Sequence, residues 1–495
     1  MITQNDIDSL RNTKIESQNL FIGSKKIPAQ SGETIDVMSP IDGKILTTIA
    51  NADANDVNNA VTIARKSFEN GSWSKAAPQE RKKILNKFAE LIEVNALELA
   101  VLGVRDNGTE INMAIMAEPT SAAGCIRYYA ETIDKMYGEI APTSENILGL
   151  IHREPIGVIG AIIPWNFPLM IASWKFAPAL STGNSVVIKP AENASLSLLR
   201  LAELATEAGI PEGVFNVITG DGEITGKALA MHMDVDVIAF TGSGVVGRKI
   251  LEYSSRSNLK RVYLELGGKS PNIVFADTQD IDKAVTQSLG GIFRNSGQVC
   301  VAGSRLIIEE AIAEEFTEKL INESKKLIVG DPLDLKSNVG AIASQDQLNK
   351  NLSYVKSAVT EGAILRSGGK QINQELGGFY MEPTVFSKIN NDMQIAQEEV
   401  FGPVLSILTC KDEKEAIKIA NATVYGLAAA VWTSDLSKAH RMVRSIRAGV
   451  VHVNCYGGAD LTVPLGGVKQ SGNGHDRSLH ALEKYTDLKT AWISL

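Results

Sequence analysis

The chain has 495 residues, of which 44% are hydrophobic and 21% charged, and a formal net charge of −8. The length exceeds what one hydrophobic core usually serves, so two or three domains are expected, and the acidic balance disfavours partners such as nucleic acid or an anionic membrane. Four scattered cysteines form neither a disulfide scaffold nor a metal-spaced motif, and no signal peptide is predicted. We therefore expect a cytoplasmic protein without a metal site.

The first 150 residues are expected to be largely helical. Asp53 can cap a helix with one apolar face, and an amphipathic run follows over residues 78–102. A further helix is expected to begin after Pro119, a favourable residue for a first turn. Residues 155–174 are uncharged and mostly apolar, but their prolines favour a buried strand followed by a loop over a membrane span.

From residue 150 onward, short apolar runs alternate with helical patterns, which is typical of doubly wound parallel sheets. The expected strands lie at 158–163, 185–189, 214–219, 235–241 and 262–266, and then, beyond a domain boundary near residue 265, at 272–275, 305–309, 405–409, 428–432 and 450–454. The expected helices lie at 195–208, 281–292, 311–328, 345–361, 412–422 and 438–448. The fold class predicted is therefore α/β, with two doubly wound parallel-sheet domains.

The tail, residues 481–495, alternates weakly between apolar and polar positions and could form a strand. It has no obvious local partner in the sequence. A terminal strand of this kind often pairs with another subunit, which is the expectation here.

The stretch 293–305 holds Cys300 among small and amide residues, a composition that favours a loop in which the backbone approaches a ligand. A thiolate there could attack a carbonyl while nearby N–H groups hold the oxyanion. The alternative is that Cys300 is a small buried hydrophobe.

A glycine-rich turn suggests a dinucleotide site. Gly242, Gly244 and Gly247 match G-x-G-x-x-G between an expected strand and an expected helix, a pattern that can place a pyrophosphate on a helix N-terminus. A tight structural turn is the alternative. Glu265 follows at the distance of a ribose-binding acid, but the glycines beside it also suit a catalytic base.

Three further turns carry candidate ligands. Lys189 and Glu192 close an expected strand and could bind an adenosine ribose or form a solvated ion pair. Asn166, set between prolines and aromatics, could donate to an oxyanion or cap a rigid turn. Glu399 and Phe401 could hold a ribose and pack beside a flat ring, or belong to a turn with solvated acids.

Seven motifs occur in order along the chain: PWNFP, KPAE, FTGS…G, LELGGKSPNIVFAD, GQVCVAGSR, EEVFGPV and PLGGVKQSGNG. By these motifs the chain resembles the aldehyde dehydrogenase superfamily from about residue 20 to the end. The resemblance implies NAD(P)-dependent oxidation of an aldehyde to an acid, by a homo-oligomer that is a dimer or a tetramer. It implies a Rossmann-like dinucleotide-binding domain, a catalytic domain and a β-arm for oligomerisation, at 1–133 with 154–264, at 265–468, and at 134–153 with 469–495.

The resemblance also implies a role for each motif residue. Cys300 would be the nucleophile, and Asn166 and the backbone N–H of Cys300 would hold the oxyanion. Glu265 would activate water, which favours hydrolysis over transfer to coenzyme A, and Lys175 would lie close by in a proton relay. Because Glu192 would repel a 2′-phosphate, NAD is favoured without excluding NADP. The implied cofactor residues are Trp165, Lys189, Glu192, Gly222, Gly242, Ser243, Gly247, Leu266, Glu399 and Phe401.

Within the family, the tail is similar to that of bacterial γ-glutamyl-γ-aminobutyraldehyde dehydrogenases of putrescine breakdown, which implies an amine-derived aldehyde. The alternatives are a broad-specificity or betaine-type enzyme and, outside this class, a thiol esterase or a non-catalytic binding protein. Arg294 stands where an aromatic commonly lines the aldehyde tunnel; it could pair with a substrate carboxylate or be a flexible residue at the mouth. Glu118 and Asp460 could hold an amino group near the entrance. The remaining candidate substrate residues are Phe167, Trp174 and Tyr456.

Overall fold

The computed structural model describes residues 2–458 and 460–495. Its strands are β1 (Leu20–Ile22), β2 (Lys25–Ile27), β3 (Thr34–Met38), β4 (Ile45–Ala50), β5 (Glu139–Ala141), β6 (Ile147–Pro155), β7 (Val158–Ile162), β8 (Ser185–Lys189), β9 (Phe215–Val217), β10 (Val237–Thr241), β11 (Arg261–Glu265), β12 (Pro271–Val274), β13 (Arg305–Glu309), β14 (Ile364–Ser367), β15 (Gln371–Ile372), β16 (Tyr380–Met381), β17 (Thr384–Ser387), β18 (Val404–Cys410), β19 (Ala428–Trp432), β20 (Val450–Val453), β21 (Gly472–Asn473) and β22 (Thr486–Ser494).

Its α-helices are α1 (Gln4–Arg11), α2 (Ala54–Asn70), α3 (Pro78–Val94), α4 (Ala96–Asn107), α5 (Ile111–Ile115), α6 (Ser121–Thr132), α7 (Pro168–Ser181), α8 (Leu196–Ala208), α9 (Lys227–Met231), α10 (Gly244–Ser255), α11 (Ile281–Phe293), α12 (Ala313–Ser324), α13 (Gln345–Thr360), α14 (Gln394–Gln397), α15 (Glu413–Asn421) and α16 (Leu436–Ser445). Within the described ranges, none of these helices has the length and apolar character needed to cross a membrane.

The first large sheet has eight strands in the order β2-β1-β9-β8-β7-β10-β11-β21. Its five central strands, β9 to β11 in that order, are parallel, and antiparallel strands extend both edges. Alternate residues of β7 and β8 pack on α7 and α8 on one face and on α2 on the other, so both faces are apolar. Chain order reverses between β7 and β10, and open α/β sheets bind ligands at the carboxyl ends of such strands.

The second large sheet has seven strands in the order β14-β17-β18-β13-β12-β19-β20. All of its neighbouring strands are parallel except β14, which pairs antiparallel with β17. The segment 266–270 leads from the end of β11 in the first sheet to the start of β12 in the second. The two predicted parallel sheets are therefore present, and the glycine-rich segment after Glu265 joins them.

The tail forms β22 as the sequence predicts, but its partner lies in the same chain. β22 pairs antiparallel with β6 over nine residue pairs, from Thr486 opposite Pro155 to Ser494 opposite Ile147, and β5 pairs with the other edge of β6. The sequence offered no local partner for this strand, and the structure supplies one within the chain, whereas pairing of the tail with another subunit stays a prediction. More than 300 residues separate the two strands, so no local pattern could reveal the pairing.

The other large departures lie before residue 150. The run 78–102 is two helices that meet at Asn95, and strands β1 to β4 were not predicted. Pro119 does not begin a helix but lies inside a π-helical turn, Met116–Thr120, between α5 and α6. The wider turn tolerates a residue that has no N–H to donate.

Candidate active site

The loop that follows β7 carries Asn166 to the carboxyl edge of the first sheet. Asn166 is buried, and its Nδ2 donates to the carbonyl oxygen of Gln298 at 2.8 Å. Asn295 Nδ2 donates in return to the carbonyl oxygen of Asn166 at 3.0 Å. These two bonds fasten the Asn166 loop to the segment before Cys300 and leave one amide hydrogen of Asn166 for another acceptor.

The segment before Cys300 has an unusual backbone. Asn295, Ser296 and Gly297 have φ values of 47°, 53° and 72°, so three successive residues are left-handed. Such conformations cost about 1–2 kcal/mol for a residue with a Cβ, although asparagine tolerates them better than most. The backbone N–H of Asn295 donates to Glu110 Oε1 at 2.9 Å, and a methyl group at Gly297 would overlap the carbonyl oxygen of Gly402. This backbone therefore explains why the sequence has small and amide residues in the loop before Cys300.

The thiol of Cys300 is partly exposed, yet its surroundings oppose ionisation. Burial by protein atoms, together with the negative charges of Glu399 and Glu265, raises the pKa of Cys300 to about 12. The Val301 backbone N–H and the charge of Arg294 act in the opposite direction. At neutral pH Cys300 is therefore a thiol, and its reaction with a carbonyl requires the loss of a proton.

Glu265 ends β11 inside a buried cluster of charges. Burial raises its pKa well above the usual value for a carboxyl group, and the charge of Asp476 adds to the increase. The nearby charges of Lys175, Lys484 and Arg477 lower it. Asp476 is itself wholly buried and accepts hydrogen bonds from Lys175 and Lys484, while Glu265 Oε1 has no hydrogen-bond partner among the described residues. Sequence reasoning found Glu265 and Lys175 but missed Asp476 and Lys484, which lie about 300 residues from Lys175.

A cavity of about 170 Å³, called here the strand-end cavity, opens at the carboxyl ends of β7, β10 and β11. Six of the ten predicted cofactor residues line it, together with Cys300 and with Gln347 and Lys350, which the sequence did not single out. The lining residues are Pro164, Trp165, Asn166, Ile171, Thr241, Gly242, Ser243, Leu266, Gly267, Cys300, Gln347, Lys350, Glu399 and Phe401.

Glu399 is held in the strand-end cavity by the segment that joins the two sheets. Gly268 N–H donates to Glu399 Oε1 at 2.9 Å, and a methyl group at Gly267 would overlap the carboxylate. Burial raises the pKa of Glu399 to about 7. The rings of Phe401 and Trp165 meet edge to face with centroids 5.2 Å apart, so an acid and an aromatic wall stand side by side.

The predicted G-x-G-x-x-G turn leads into α10. Ser243 is the N-cap, and its hydroxyl accepts from the Val246 N–H at 3.3 Å. Gly247 is buried, and a Cβ there would lie 2.8 Å from Leu266 Cδ2, so this glycine permits close packing of the helix on the next segment. The positive end of α10 faces the strand-end cavity through Ser243, which suits an anionic group.

The remaining cofactor candidates lie outside the lining of this cavity. Lys189 is buried, its Nζ donates to the carbonyl oxygen of Pro190 at 2.9 Å, and it lies 3.6 Å from a carboxylate oxygen of Glu192. Gly222 begins a second π-helical turn, Gly222–Gly226, and a Cβ at Gly226 would contact the Lys189 side chain at 3.8 Å. Lys189 and the Gly222 turn are therefore neighbours.

A second cavity, of about 220 Å³, also contains Cys300 and is called here the basic cavity. Three predicted substrate residues line it: Arg294, Phe167 and Trp174. The other lining residues are Met113, Ala117, Met170, Ile171, Val299, Val301, Ala428, Val450, His452, Gly457, Gly458, Leu465 and Arg477. Since Cys300 borders both cavities, a molecule in each could meet at its sulfur.

The structure does not bring the other three predicted substrate residues to the basic cavity. Glu118 is buried and accepts from the Leu169 and Met170 N–H groups at 2.7 and 3.0 Å, so it caps α7. Tyr456 is buried behind the cysteine loop, and its hydroxyl donates to the Val301 carbonyl at 2.7 Å. Asp460 is exposed and accepts from the Thr462 N–H at 2.8 Å. Each of these side chains is bonded to a backbone group, which the sequence pattern alone could not show, although Glu118 Oε1 has no hydrogen-bond partner among the described residues.

Comparison with known proteins gives consistent matches along the chain. The aldehyde dehydrogenase family model matches residues 27–491. A similar curated protein, the NADP/NAD-dependent aldehyde dehydrogenase PuuC of Escherichia coli (strain K12), is 47% identical over 96% of this chain and 95% of its own. An indole-3-acetaldehyde dehydrogenase solved with NAD+ has a TM-score of 0.98 at 52% identity, and a γ-glutamyl-γ-aminobutyraldehyde dehydrogenase from Burkholderia cenocepacia J2315 has 0.97 at 48%; both matches cover 100% of each chain.

Proposed function

This chain belongs to the aldehyde dehydrogenase family, and on that premise we propose that it oxidises an amine-derived aldehyde to the acid, with NAD, through a covalent adduct on Cys300. The observation that carries the proposal is the position of Cys300 at the border of two cavities. One cavity has an acid, an aromatic pair and a helix N-terminus. The other is largely apolar and would admit the aldehyde.

The residues of the strand-end cavity fit NAD. Thr241 Oγ1 is buried there without a hydrogen-bond partner among the described residues, and Gly267 leaves space that any side chain would fill. Glu399 would hold the nicotinamide ribose and Phe401 would pack beside the ring, while Ser243 would meet the pyrophosphate. When bound, NAD supplies the hydride acceptor.

The adenosine ribose would lie between Lys189 and Glu192. Burial lowers the pKa of Lys189, and the adjacent charge of Glu192 counteracts that effect, so the pair stays suited to hydroxyl groups. A carboxylate at this position repels a 2′-phosphate, which supports NAD over NADP. Trp165, Gly222, Gly242, Gly247 and Leu266 would shape the remainder of the site.

In the first chemical step, the thiol of Cys300 would give its proton to water in the cavity, and its sulfur would bond to the aldehyde carbon. The thiolate is stabilised by the Val301 N–H, and the new oxyanion would accept from the free amide hydrogen of Asn166 and from the Cys300 backbone N–H. Because Asn166 is already fixed by Gln298 and Asn295, this donor does not need to reorganise.

Loss of a hydride from this adduct to NAD would leave a thioester on Cys300, and in the second step water hydrolyses that thioester. Glu265 would take the proton of this water, since its raised pKa makes its carboxylate a stronger base than an exposed one. Lys175 and Asp476 lie beside Glu265 and would relay the proton onward. Hydrolysis releases the acid and restores the Cys300 thiol.

The substrate proposed is an amine-derived aldehyde such as γ-glutamyl-γ-aminobutyraldehyde. Support comes from the similarity to PuuC and to the enzyme named for that substrate. We also propose a homo-oligomer, dimer or tetramer, in which residues 134–153 and 469–495 form the arm. The exposed apolar side chains of Ile140, Leu488 and Trp492 on that arm support this assembly. The domains 1–133 with 154–264 and 265–468 would bind cofactor and carry catalysis.

A direct test uses purified protein, NAD and a panel of aldehydes, with NADH absorbance as the readout. Wild-type protein should form NADH, Cys300→Ala should form none, and Cys455→Ala, which changes the other partly exposed thiol, should retain activity. Glu265→Gln should give one burst of NADH and a trapped thioester visible by mass spectrometry. Absence of NADH with every aldehyde, or full activity in Cys300→Ala, would overturn the proposal.

A further inference from the structure

Three basic side chains line the basic cavity beside Cys300: Arg294, His452 and Arg477. Its other lining residues are apolar, glycine or the cysteine itself, and no carboxylate borders it in the part of the chain that the structure describes. We propose that Arg294 and Arg477 form an anion clamp, so that the enzyme selects aldehydes that carry a carboxylate at the end remote from the carbonyl. This inference rests on the proposed function and names its substrate class.

Arg477 is a built part of the cavity wall. Only 8% of it is exposed, and its guanidinium lies over the Trp174 ring at 5.2 Å from the centroid. Burial lowers its pKa, but the charge of Asp476 opposes that change, so Arg477 stays protonated. Asp476 accepts bonds from Lys175 and Lys484 and so also compensates two other cations. A stacked guanidinium is held with its donors in one plane, the geometry that suits a carboxylate.

Arg294 supplies the second charge from the end of α11. Its Nε makes no hydrogen bond, and it forms no ion pair within 4.0 Å among residues 2–458 and 460–495. Its guanidinium lies beside Gly457, where a Cβ would be 3.1 Å from Nη1, so a glycine is needed to admit it. The charge of Arg294 lowers the pKa of Glu110, but burial dominates and raises that pKa to about 7, so Glu110 only partly compensates Arg294 at neutral pH.

The charges that face the clamp make the cavity positive. Burial lowers the pKa of His452, and the charges of Arg294 and Arg477 lower it further, so this ring is neutral at neutral pH and is available as a hydrogen-bond partner. Two partly desolvated guanidinium groups favour an anion and repel an ammonium group. The apolar walls between them and Cys300, including Trp174 and Phe167, suit an uncharged middle segment of the substrate.

This chemistry divides the aldehydes derived from amines. A γ-glutamylamino aldehyde ends in an α-carboxylate that the clamp could bind, and the α-ammonium on the same carbon would point away from the arginines. A trimethylammonium aldehyde ends in a fixed positive charge and has no carboxylate, so the two arginines would exclude it. The clamp thus favours aldehydes that carry a carboxylate over aldehydes that end in an ammonium group alone.

The experiment compares kcat and KM for ω-oxocarboxylates of four to nine carbons, the matched n-alkanals, and 4-trimethylammoniobutanal. Wild-type enzyme should prefer at least one oxocarboxylate over its alkanal. Arg294→Gln and Arg477→Gln should each raise KM for that oxocarboxylate about 10–100-fold, the effect of losing a hydrogen bond to a charged group, and leave kcat nearly unchanged. Arg294→Lys should restore part of the loss.

A surface control is Arg441→Gln, which removes a partly exposed ion pair between Arg441 on α16 and Glu413 on α15 and should change neither kcat nor KM. Equal KM changes for oxocarboxylate and alkanal in both clamp variants would overturn the clamp while leaving the proposed function intact. If an arginine variant does not fold, the test is the wild-type ratio of kcat/KM for the oxocarboxylates to kcat/KM for 4-trimethylammoniobutanal. A preference for 4-trimethylammoniobutanal over every oxocarboxylate refutes the inference. Failure of wild-type enzyme on all aldehydes would instead refute the proposed function.

Discussion

Replacing Asp476 by Asn would test whether the buried charges around Glu265 control the release of product. Asp476 has no exposed surface, and it binds the Nζ atoms of Lys175 and Lys484, whose side chains are 2% and 5% exposed. Asparagine keeps the shape but removes the negative charge. Breaking a buried pair in this way costs about 3–5 kcal/mol, because it leaves a buried charge uncompensated. We therefore expect a large fall in melting temperature.

The same change should shift the acid limb of the pH–rate profile for hydrolysis. Asp476 raises the pKa of Glu265, while Lys175 and Lys484 lower it. Without Asp476 burial still raises the pKa of Glu265, but the neighbouring negative charge that adds to the increase is lost, so this pKa should fall. The acid limb of steady-state kcat should then move to lower pH, and the maximal rate should decline because a more acidic carboxyl group is a weaker base.

The assay combines stopped-flow measurement of the NADH burst, steady-state kcat from pH 5 to 10 and thermal unfolding. The sign of the stability effect follows from the direction of the Asp476 shift. Burial would raise the pKa of Asp476, but the neighbouring lysines hold it below the usual aspartate value of 3.8 in the folded protein. The stabilisation is therefore complete above about pH 4 and is lost only in stronger acid. Asp487→Asn, in an exposed pair with Arg261, is the control. An unmoved or raised acid limb in Asp476→Asn would refute the reasoning.

Three further changes probe the loops around Cys300. Asn166→Ala should slow the NADH burst about 100–1000-fold, the usual effect of removing an oxyanion donor; a burst at the wild-type rate would contradict that role. Gly297→Ala should abolish soluble folding or the titre of active thiol, because the new Cβ would overlap the Gly402 carbonyl at a φ of 72°. The control is Gly362→Ala, which has a φ of 94° and open space around it and should cost only about 1 kcal/mol of stability. Equal melting temperatures for the two variants would argue against the overlap. Glu399→Gln should raise KM for NAD about tenfold with little change in KM for aldehyde, and the reverse pattern would exclude Glu399 from the cofactor site.

Much of the fold follows from local sequence patterns. Strands β7, β8 and β10 are continuous apolar runs because both faces of their sheet are covered, and the runs were visible without the structure. Where a strand is short or its faces differ, as in β1 to β4, the pattern was too weak. The π-helical turn at Pro119 and the break at Asn95 were missed because tertiary packing, not local propensity, decided them.

In the candidate site, too, local motifs revealed some residues, whereas others depend on contacts between distant parts of the chain. Local motifs indicated Cys300, Glu265 and Asn166 as candidates, because each lies beside glycines, prolines or amides of the kind that tight loops require. The sequence pattern did not reveal residues whose partners are distant along the chain. Glu118 was expected near the substrate entrance, but it accepts hydrogen bonds from backbone N–H groups at the start of α7. A carboxylate in a sequence carries no sign of whether it will cap a helix or face a ligand.

The sequence by itself determined the two parallel sheets and the membership of the family, and it supplied the candidates for the reacting groups, because these depend on periodicity and on contiguous motifs. Only the tertiary structure decided that β22 pairs with β6, that Asp476 joins Lys175 beside Glu265, and that Arg477 and Arg294 meet in one cavity. The physical reason is common to all three. Each contact joins segments more than 180 residues apart, and its energy depends on burial and on mutual distance, which the order of residues does not contain.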